Sequence, residues 1–192
     1  TELFRGVAEC EKITGMYRPV CYRNKVHAAV GTNRDGRIIT GTYKEGTHKI
    51  IPVDGCMIED AQSENILKEL RRLFQSFKYQ PYNEDTKRGF IRHVLIRRFS
   101  TDETMVVLVT GQVQFPSKNA FIKELLKACP SVTTIVQNIN NMSTSMVLGK
   151  RNIVIYGKGY IEDVLCSNRF RISPDSFYQI NVKQTEKLYK AA

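Results

Sequence analysis

The chain has 192 residues, 42% hydrophobic and 25% charged, a composition that suits a soluble globular protein able to bury a real core and argues against a disordered one. No apolar run approaches the roughly 20 residues needed to span a bilayer, so no membrane partner is expected. The formal net charge of +10 favours a polyanionic partner, RNA or DNA first, over a merely soluble basic protein.

The opening residues, TELFRGVAECEKI, carry acids and no apolar stretch, and read as a helix entered midway rather than as a signal peptide. Cys21 to Val30 alternates as a strand and turns through TNRDG, where Asp35-Gly36 is a hairpin signal. RIITGTYK is the returning strand, and HKIIPV is a third extended piece, so the three predict an antiparallel meander. SENILKELRRLFQSFK is the clearest helix: Ile66, Leu67, Leu70, Leu73, Phe74 and Phe77 form one stripe, with Ser63 as the N-cap. A polar loop, YQPYNEDTKRG, leads to two strands, FIRHVLIRRF and TMVVLVTG, joined by STDE. A second helix runs from about Ser117 to Ala128 and is stopped by Pro130. The strand VTTIVQNIN follows, then NIVIYG and YIEDVLC as a hairpin across Lys158-Gly159, and RFRIS as the last strand. Hairpin-length loops predict an α+β fold: a mostly antiparallel sheet with two main helices, and a further helix beginning within NVKQTEKLYK.

Enzyme signatures are missing: there is no GxGxxG, GxxxxGK[ST], HExxH or GxSxG. His27, His48 and His93 lie far apart in sequence, without the spacing of metal ligands. The five cysteines, at positions 10, 21, 56, 129 and 166, form no CxxC pair, which favours a reduced, cytoplasmic setting over a disulfide framework. Cys129 and Cys166 read as small buried hydrophobes, Cys166 inside a strand and without a base beside it. The stretch KRGFIRHVLIRR, Lys87 to Arg98, contains basic residues and no acid, the pattern of a strand with a basic face. YRNKVH puts Arg23, Lys25 and His27 on one face of a strand, where three donors can track phosphates along an RNA backbone. SFYQIN offers an aromatic to stack and an amide that both donates and accepts, groups suited to a planar base edge.

Three stretches taken in order, YRNKVHAAVG, GTYKEGTHKIIPVDGCMI and RFRISPDSFYQINVKQTEKLY, resemble the SAM-dependent RNA (uracil-5-)methyltransferases, in particular the bacterial 23S rRNA members. The pattern SP-x-x-F-x-Q-x-N before a helix is fairly specific, and the likeness covers nearly all of the chain. It implies that residues 1–175 are a central RNA-binding domain and that 176–192 begin a Rossmann-like methyltransferase domain, the last helix being a truncated link to it. A TRAM domain and a cysteine cluster would precede Thr1. The family's reaction implies a cysteine thiolate that adds to C6 of a flipped-out uracil, methyl transfer to C5 from S-adenosylmethionine, and a carboxylate that removes the C5 proton. That cysteine and that glutamate would lie beyond Ala192, so no residue here is expected to be catalytic and the fragment alone is expected to be inactive.

By the same resemblance Gln179 matches a residue at the lip of the cofactor and target-base site, and Phe177 an aromatic beside the target base. Cys56 matches the fourth ligand of a [4Fe–4S] cluster whose other ligands would lie upstream, so no cluster and no other cofactor is expected bound to this part alone. His27 stands where some members place an RNA-contacting arginine. The implied partner is RNA, rRNA ahead of tRNA, together with the TRAM and methyltransferase domains of the same chain. The alternative is a stand-alone RNA-binding module without catalysis.

Overall fold

In a computed structural model the described residues are 6–7 and 12–192; the helix read at the N-terminus falls almost wholly outside them. The predicted meander is present as β1 (Lys25–Thr32), β2 (Ile38–Tyr43) and β3 (Ile50–Pro52), paired antiparallel. β1 starts four residues later than the alternation suggests, because residues 21–24 run as irregular chain whose Cys21 and Arg23 N–H groups donate to Met57 and Ile58 carbonyls. Gly36 completes the first turn at φ 75°, and the Asn33 side chain accepts from the Asp35 and Arg37 amides.

The helix α1 (Ala61–Ser76) buries Ile66, Leu67, Leu70, Leu73 and Phe74, as the stripe requires. Its cap is Asp60, not Ser63. The Asp60 carboxylate accepts from the Gln62 and Ser63 amides at 3.1 and 3.2 Å, and the Ser63 hydroxyl, one turn inside, donates to it. An acid outcompetes serine here because it accepts several bonds at once and its charge complements the helix dipole.

β4 (Ile91–Arg98) and β5 (Thr104–Thr110) are buried along almost their whole length, covered on both faces. α2 (Lys118–Ala128) follows, and β6 (Val132–Ile139) then pairs with β5 in parallel. The sheet is mostly antiparallel, as expected, with this one parallel pair, where a strand–helix–strand crossover returns the chain in the same direction. β7 (Arg151–Tyr156) closes one edge, giving the seven-stranded order β3-β2-β1-β4-β5-β6-β7.

The hairpin read across Lys158-Gly159 does not form. β7 pairs with β6, and β8 (Ile161–Leu165) pairs instead with β9 (Asn168–Ile172) in a separate two-stranded sheet. Two features redirect the chain. Gly157 sits at φ 75° with its α-carbon against Thr133, where a Cβ would meet the Thr133 carbonyl at 2.1 Å, so the chain leaves the sheet there. Cys166 and Ser167 both take positive φ, 49° and 64°, the two-residue turn that matches strand twist. Cys166 is thus a half-buried turn residue, not a strand residue, whereas Cys129 is buried as expected.

Three layers result. α1 and α2 cover one face of the large sheet with a core that includes Val26, Ala28, Val30, Val94, Ile96 and Ile135. There Phe74 stacks on Phe121 with centroids 5.9 Å apart and Tyr79 packs against both. The β8–β9 hairpin covers part of the other face through Ile161 and Ile172, which meet Leu95, Met105, Val107 and Val136. The rest of that second face carries the candidate site. The last helix, α3 (Val182–Ala191), is capped by the Asn181 side chain, which accepts from the Gln184 amide.

Candidate nucleic-acid interface

The segment SPDSFYQIN is irregular chain, yet it is held at several points. Arg97 donates to the Pro174 and Ser176 carbonyls at 3.0 and 2.6 Å. Tyr178 donates its hydroxyl to buried Asp163 at 2.8 Å and packs edge-on against Phe99 at 5.0 Å. Asn24 donates to the Gln179 carbonyl at 2.9 Å, and its own amide donates to the Ile180 carbonyl. The result is a fixed backbone from which Phe177 projects 84% exposed. Gln179 is half-buried and lines a cleft of about 470 Å³ with Asn181 and Gln184, and among the described residues its side-chain amide has no hydrogen-bond partner. Arg97, Asn24 and Asp163 were not singled out in the sequence. A buried Asp beside Ser and Tyr partners 63 and 15 residues away leaves no local signal.

Within the basic stretch Lys87–Arg98, Lys87 and Arg88 are exposed ahead of the strand, but Arg92 and Arg97 form no solvent face. Arg92 is 2% exposed: its guanidinium makes a bidentate pair with Glu84 at 2.7 and 2.8 Å, donates to the Asn140 and Met142 carbonyls, and lies 4.5 Å over the Tyr82 ring. Arg97 is 4% exposed and burial lowers its pKa. Arg92 and Arg97 are therefore structural ties within the fold rather than cations free to meet a phosphate.

Lys25 and His27 do share one face of β1, as period two dictates, while Arg23 precedes the strand. Arg23 lines a larger cleft of about 630 Å³ with Arg18, Arg98, Lys183 and Lys187, and Asp60 is the acid there. The Arg23 Nε is buried without a partner, and neither Arg23 nor Lys25 makes an ion pair among the described residues. Burial lowers the Lys25 pKa, and the nearby Arg97 and Arg23 charges lower it further. Positive groups crowd one another here, and an anion would relieve them.

Folding also brings together what sequence spacing kept apart. His27, His48 and His93 all line a second cleft, of about 420 Å³, on the uncovered part of the sheet. His27 Nε2 lies 3.3 Å from His93 Nδ1, and His48 pairs with Asp85 at 2.9 Å. Burial lowers both the His27 and His93 pKa values, His93 to about 3, with Lys25 and Arg23 acting on His27, and His27 and Arg92 on His93. No group of three potential metal ligands exists among the described residues. Cys56 is half-buried, and the described residues do not supply the set of thiolates that an iron–sulfur cluster needs. Burial raises the Cys129 thiol pKa, which leaves it a poor nucleophile. No described helix is long and apolar enough to cross a membrane.

A mixed sheet with this strand order has a solved counterpart in fold. The fold is similar to that of a Pyrococcus abyssi tRNA (uracil-54, C5)-methyltransferase in complex with S-adenosyl-L-homocysteine, with a TM-score of 0.73 and 23% identity over 91% of this chain and 40% of that one. By sequence the chain is similar to a Staphylococcus aureus (strain COL) protein named an uncharacterized RNA methyltransferase, 40% identical over 179 residues. A Staphylococcus epidermidis (strain ATCC 12228) protein of the same description is also 40% identical over 179 residues. These alignments cover 93% of this chain, which spans about 40% of the relatives' length. No protein-family model matches the chain. The resemblance to RNA methyltransferases carried by the sequence motifs is thereby borne out.

Proposed function

We propose that the chain is the RNA-binding part of a SAM-dependent RNA (uracil-5-)methyltransferase acting on rRNA, with residues 1–175 holding the RNA and 176–192 leading into the cofactor-binding domain. One observation carries this reading: Arg23 and Lys25 form a crowded cationic row with no ion-pair partner among the described residues, beside a segment that is fixed in place and displays Phe177. Arg23, Lys25 and His27 contact the RNA, and Phe177 offers a ring to the base that reacts, which its exposure permits. Gln179 faces the cofactor. The fit for that group rests on the Gln179 amide and on the neighbouring Gln184 Oε1, buried in the same cleft, neither of which has a hydrogen-bond partner among the described residues. S-adenosylmethionine, when bound, supplies an electrophilic methyl on a sulfonium. The residues here orient the base and exclude water, and Arg97, Asn24 and Asp163 hold the segment that does so. Cys56 enters no step of this reading.

The test uses the full-length protein, RNA lacking 5-methyluridine, and S-adenosylmethionine with a labelled methyl group. Label appearing at C5 of uridine in rRNA supports the reading; label in tRNA alone overturns the rRNA assignment, and no transfer to any RNA overturns the whole. Replacing Arg23 and Lys25 by Ala weakens RNA binding across unrelated sequences. It also lowers the slope of log affinity against log salt by roughly 1.4, about 0.7 for each single-strand phosphate no longer neutralised. An unchanged slope would show that RNA binds elsewhere.

A further inference from the structure

The histidine cleft shares no lining residue with the two clefts around Arg23 and Gln179. Its volume, about 420 Å³, falls in the usual range for a small-ligand site. Its chemistry is unusual in one respect. His27 and His93 are both held neutral, and their facing nitrogens are 3.3 Å apart, so one carries a proton and donates to the other. A neutral imidazole has one N–H and one bare nitrogen. It follows that the two outer nitrogens, His27 Nδ1 and His93 Nε2, present one donor and one acceptor, whichever tautomer the pair adopts. Among the described residues neither outer nitrogen has a hydrogen-bond partner.

The walls fit the same kind of ligand. Tyr43 stands edge-on to His93, with centroids 6.0 Å apart at 90°, and at 6.1 Å from His48. Ser143 and Ser145 face them from a loop that Arg92 holds through the Asn140 and Met142 carbonyls. A register shift between Ile91 and His93 marks a bulge, and Arg92 and His93 consequently line one cleft. Lys87 is exposed on the rim.

We propose that this cleft takes an unstacked nucleobase of the RNA, other than the uridine that reacts, with the His27–His93 pair reading one donor and one acceptor on the base edge. The inference rests on the reading of the protein as RNA-binding. A phosphate fits worse: its oxygens only accept, whereas one of the two outer nitrogens is itself an acceptor. A metal ion would need a third ligand, which the described residues do not bring within reach. A base has both a donor–acceptor edge and a flat face for the aromatic wall.

The experiment measures binding of the full-length protein to two fluorescein-labelled probes, a ten-nucleotide oligouridylate and an abasic ribose-phosphate oligomer of the same length. His27 is exposed apart from the ring edge that faces His93, so His27→Ala does not threaten the fold, and an unchanged melting temperature checks this. The variant should bind oligouridylate on the order of tenfold more weakly, the scale of a single base interaction, and bind the abasic probe within about twofold of wild type. Lys87→Ala should weaken both probes alike. Equal loss on both probes in His27→Ala would make the cleft a backbone site, and no loss on either would show that RNA does not enter it; each overturns the proposal. Methyl transfer by the wild-type protein is scored separately. If transfer occurs while His27→Ala binds normally, the cleft assignment fails together with the His27 contact, and the enzymatic reading stands. If base-dependent binding is lost in His27→Ala but no RNA is methylated, the enzymatic reading alone fails.

Discussion

The two faces of the large sheet are built from the same strands and do different work. The face under α1 and α2 is closed by aliphatic and aromatic side chains, with Phe74, Tyr79 and Phe121 in mutual contact. The opposite face is closed by the β8–β9 hairpin over only part of its extent, and the remainder carries Lys25, His27, Tyr43 and His93. Apolar contacts are non-directional, so the first face tolerates local adjustment. The second holds its polar groups through specific hydrogen bonds, which fix positions but are costly to break singly. The closed apolar face supports the strands, and the hydrogen bonds of the partly open one hold its polar groups at defined positions.

The largest effects should separate the two faces by mechanism. Phe121→Ala should cost about 3–5 kcal/mol in denaturant unfolding, through lost burial and a cavity left where α2 packs against Phe74 of α1. Arg92→Met on the second face should cost a similar roughly 3–5 kcal/mol, because it leaves Glu84 uncompensated in a nearly buried place. Only the second loss should be repaired in part by a further change, Glu84→Gln, which removes the stranded charge. If Glu84→Gln brings no recovery, Arg92 acts by packing and the contrast between the faces fails at that point.

Much of the first face was legible in the sequence, and little of the second. Alternation in β1 and the 3.6-residue stripe in α1 report directly on burial against one apolar layer, and Val26, Ala28, Val30, Ile66 and Leu70 fall where that pattern puts them. The same alternation misled in β4. A strand covered on both faces can carry Arg92 and Arg97 inward if acceptors wait there, and those acceptors, Glu84, Asn140, Met142, Pro174 and Ser176, come from loops remote in sequence. The parallel pairing of β5 and β6 was missed because strand direction is set by the crossover through α2, not by either strand's own residues. Of the candidate site, Lys25, His27, Phe177 and Gln179 were singled out, but the meeting of three histidines was invisible: His27 and His93 are 66 residues apart and neighbour each other only once β1 pairs with β4.

A smaller effect should follow pH. His93 titrates at about 3 in the folded protein, below its ordinary value near 6.5, because the charged form is buried beside His27 and Arg92. Between those two pH values the unfolded chain binds the proton and the folded chain does not, so stability falls as pH drops from about 6.5 and is retained above it. The slope for one such group is at most about 1.4 kcal/mol per pH unit. Unfolding measured from pH 7 to pH 5 should show the decline in the wild type, and His93→Gln should flatten it. A slope that His93→Gln leaves unaltered would place the acid sensitivity in the carboxylates instead.

The smallest expected effect on stability belongs to the most exposed aromatic of the candidate site. Phe177 is 84% exposed, so its ring gains little from packing against its own domain. Its backbone is held by others: Arg97 through the Ser176 carbonyl, Tyr178 through Asp163, and Asn24 through Gln179. Removing the ring therefore leaves every one of those ties in place, and Phe177→Ala should change stability by less than about 0.5 kcal/mol, as for other surface substitutions. If the ring stacks on the reacting base, the same variant should lose on the order of 1–3 kcal/mol of substrate interaction, read as a fall in kcat/KM of the full-length protein. Arg97→Met supplies the contrast, since it removes the ties to the Pro174 and Ser176 carbonyls and should lower stability and methyl transfer together. A Phe177→Ala protein that melts as wild type and methylates as wild type would show that the fixed segment displays this ring to nothing, and would shift the search for the base contact to the histidine cleft.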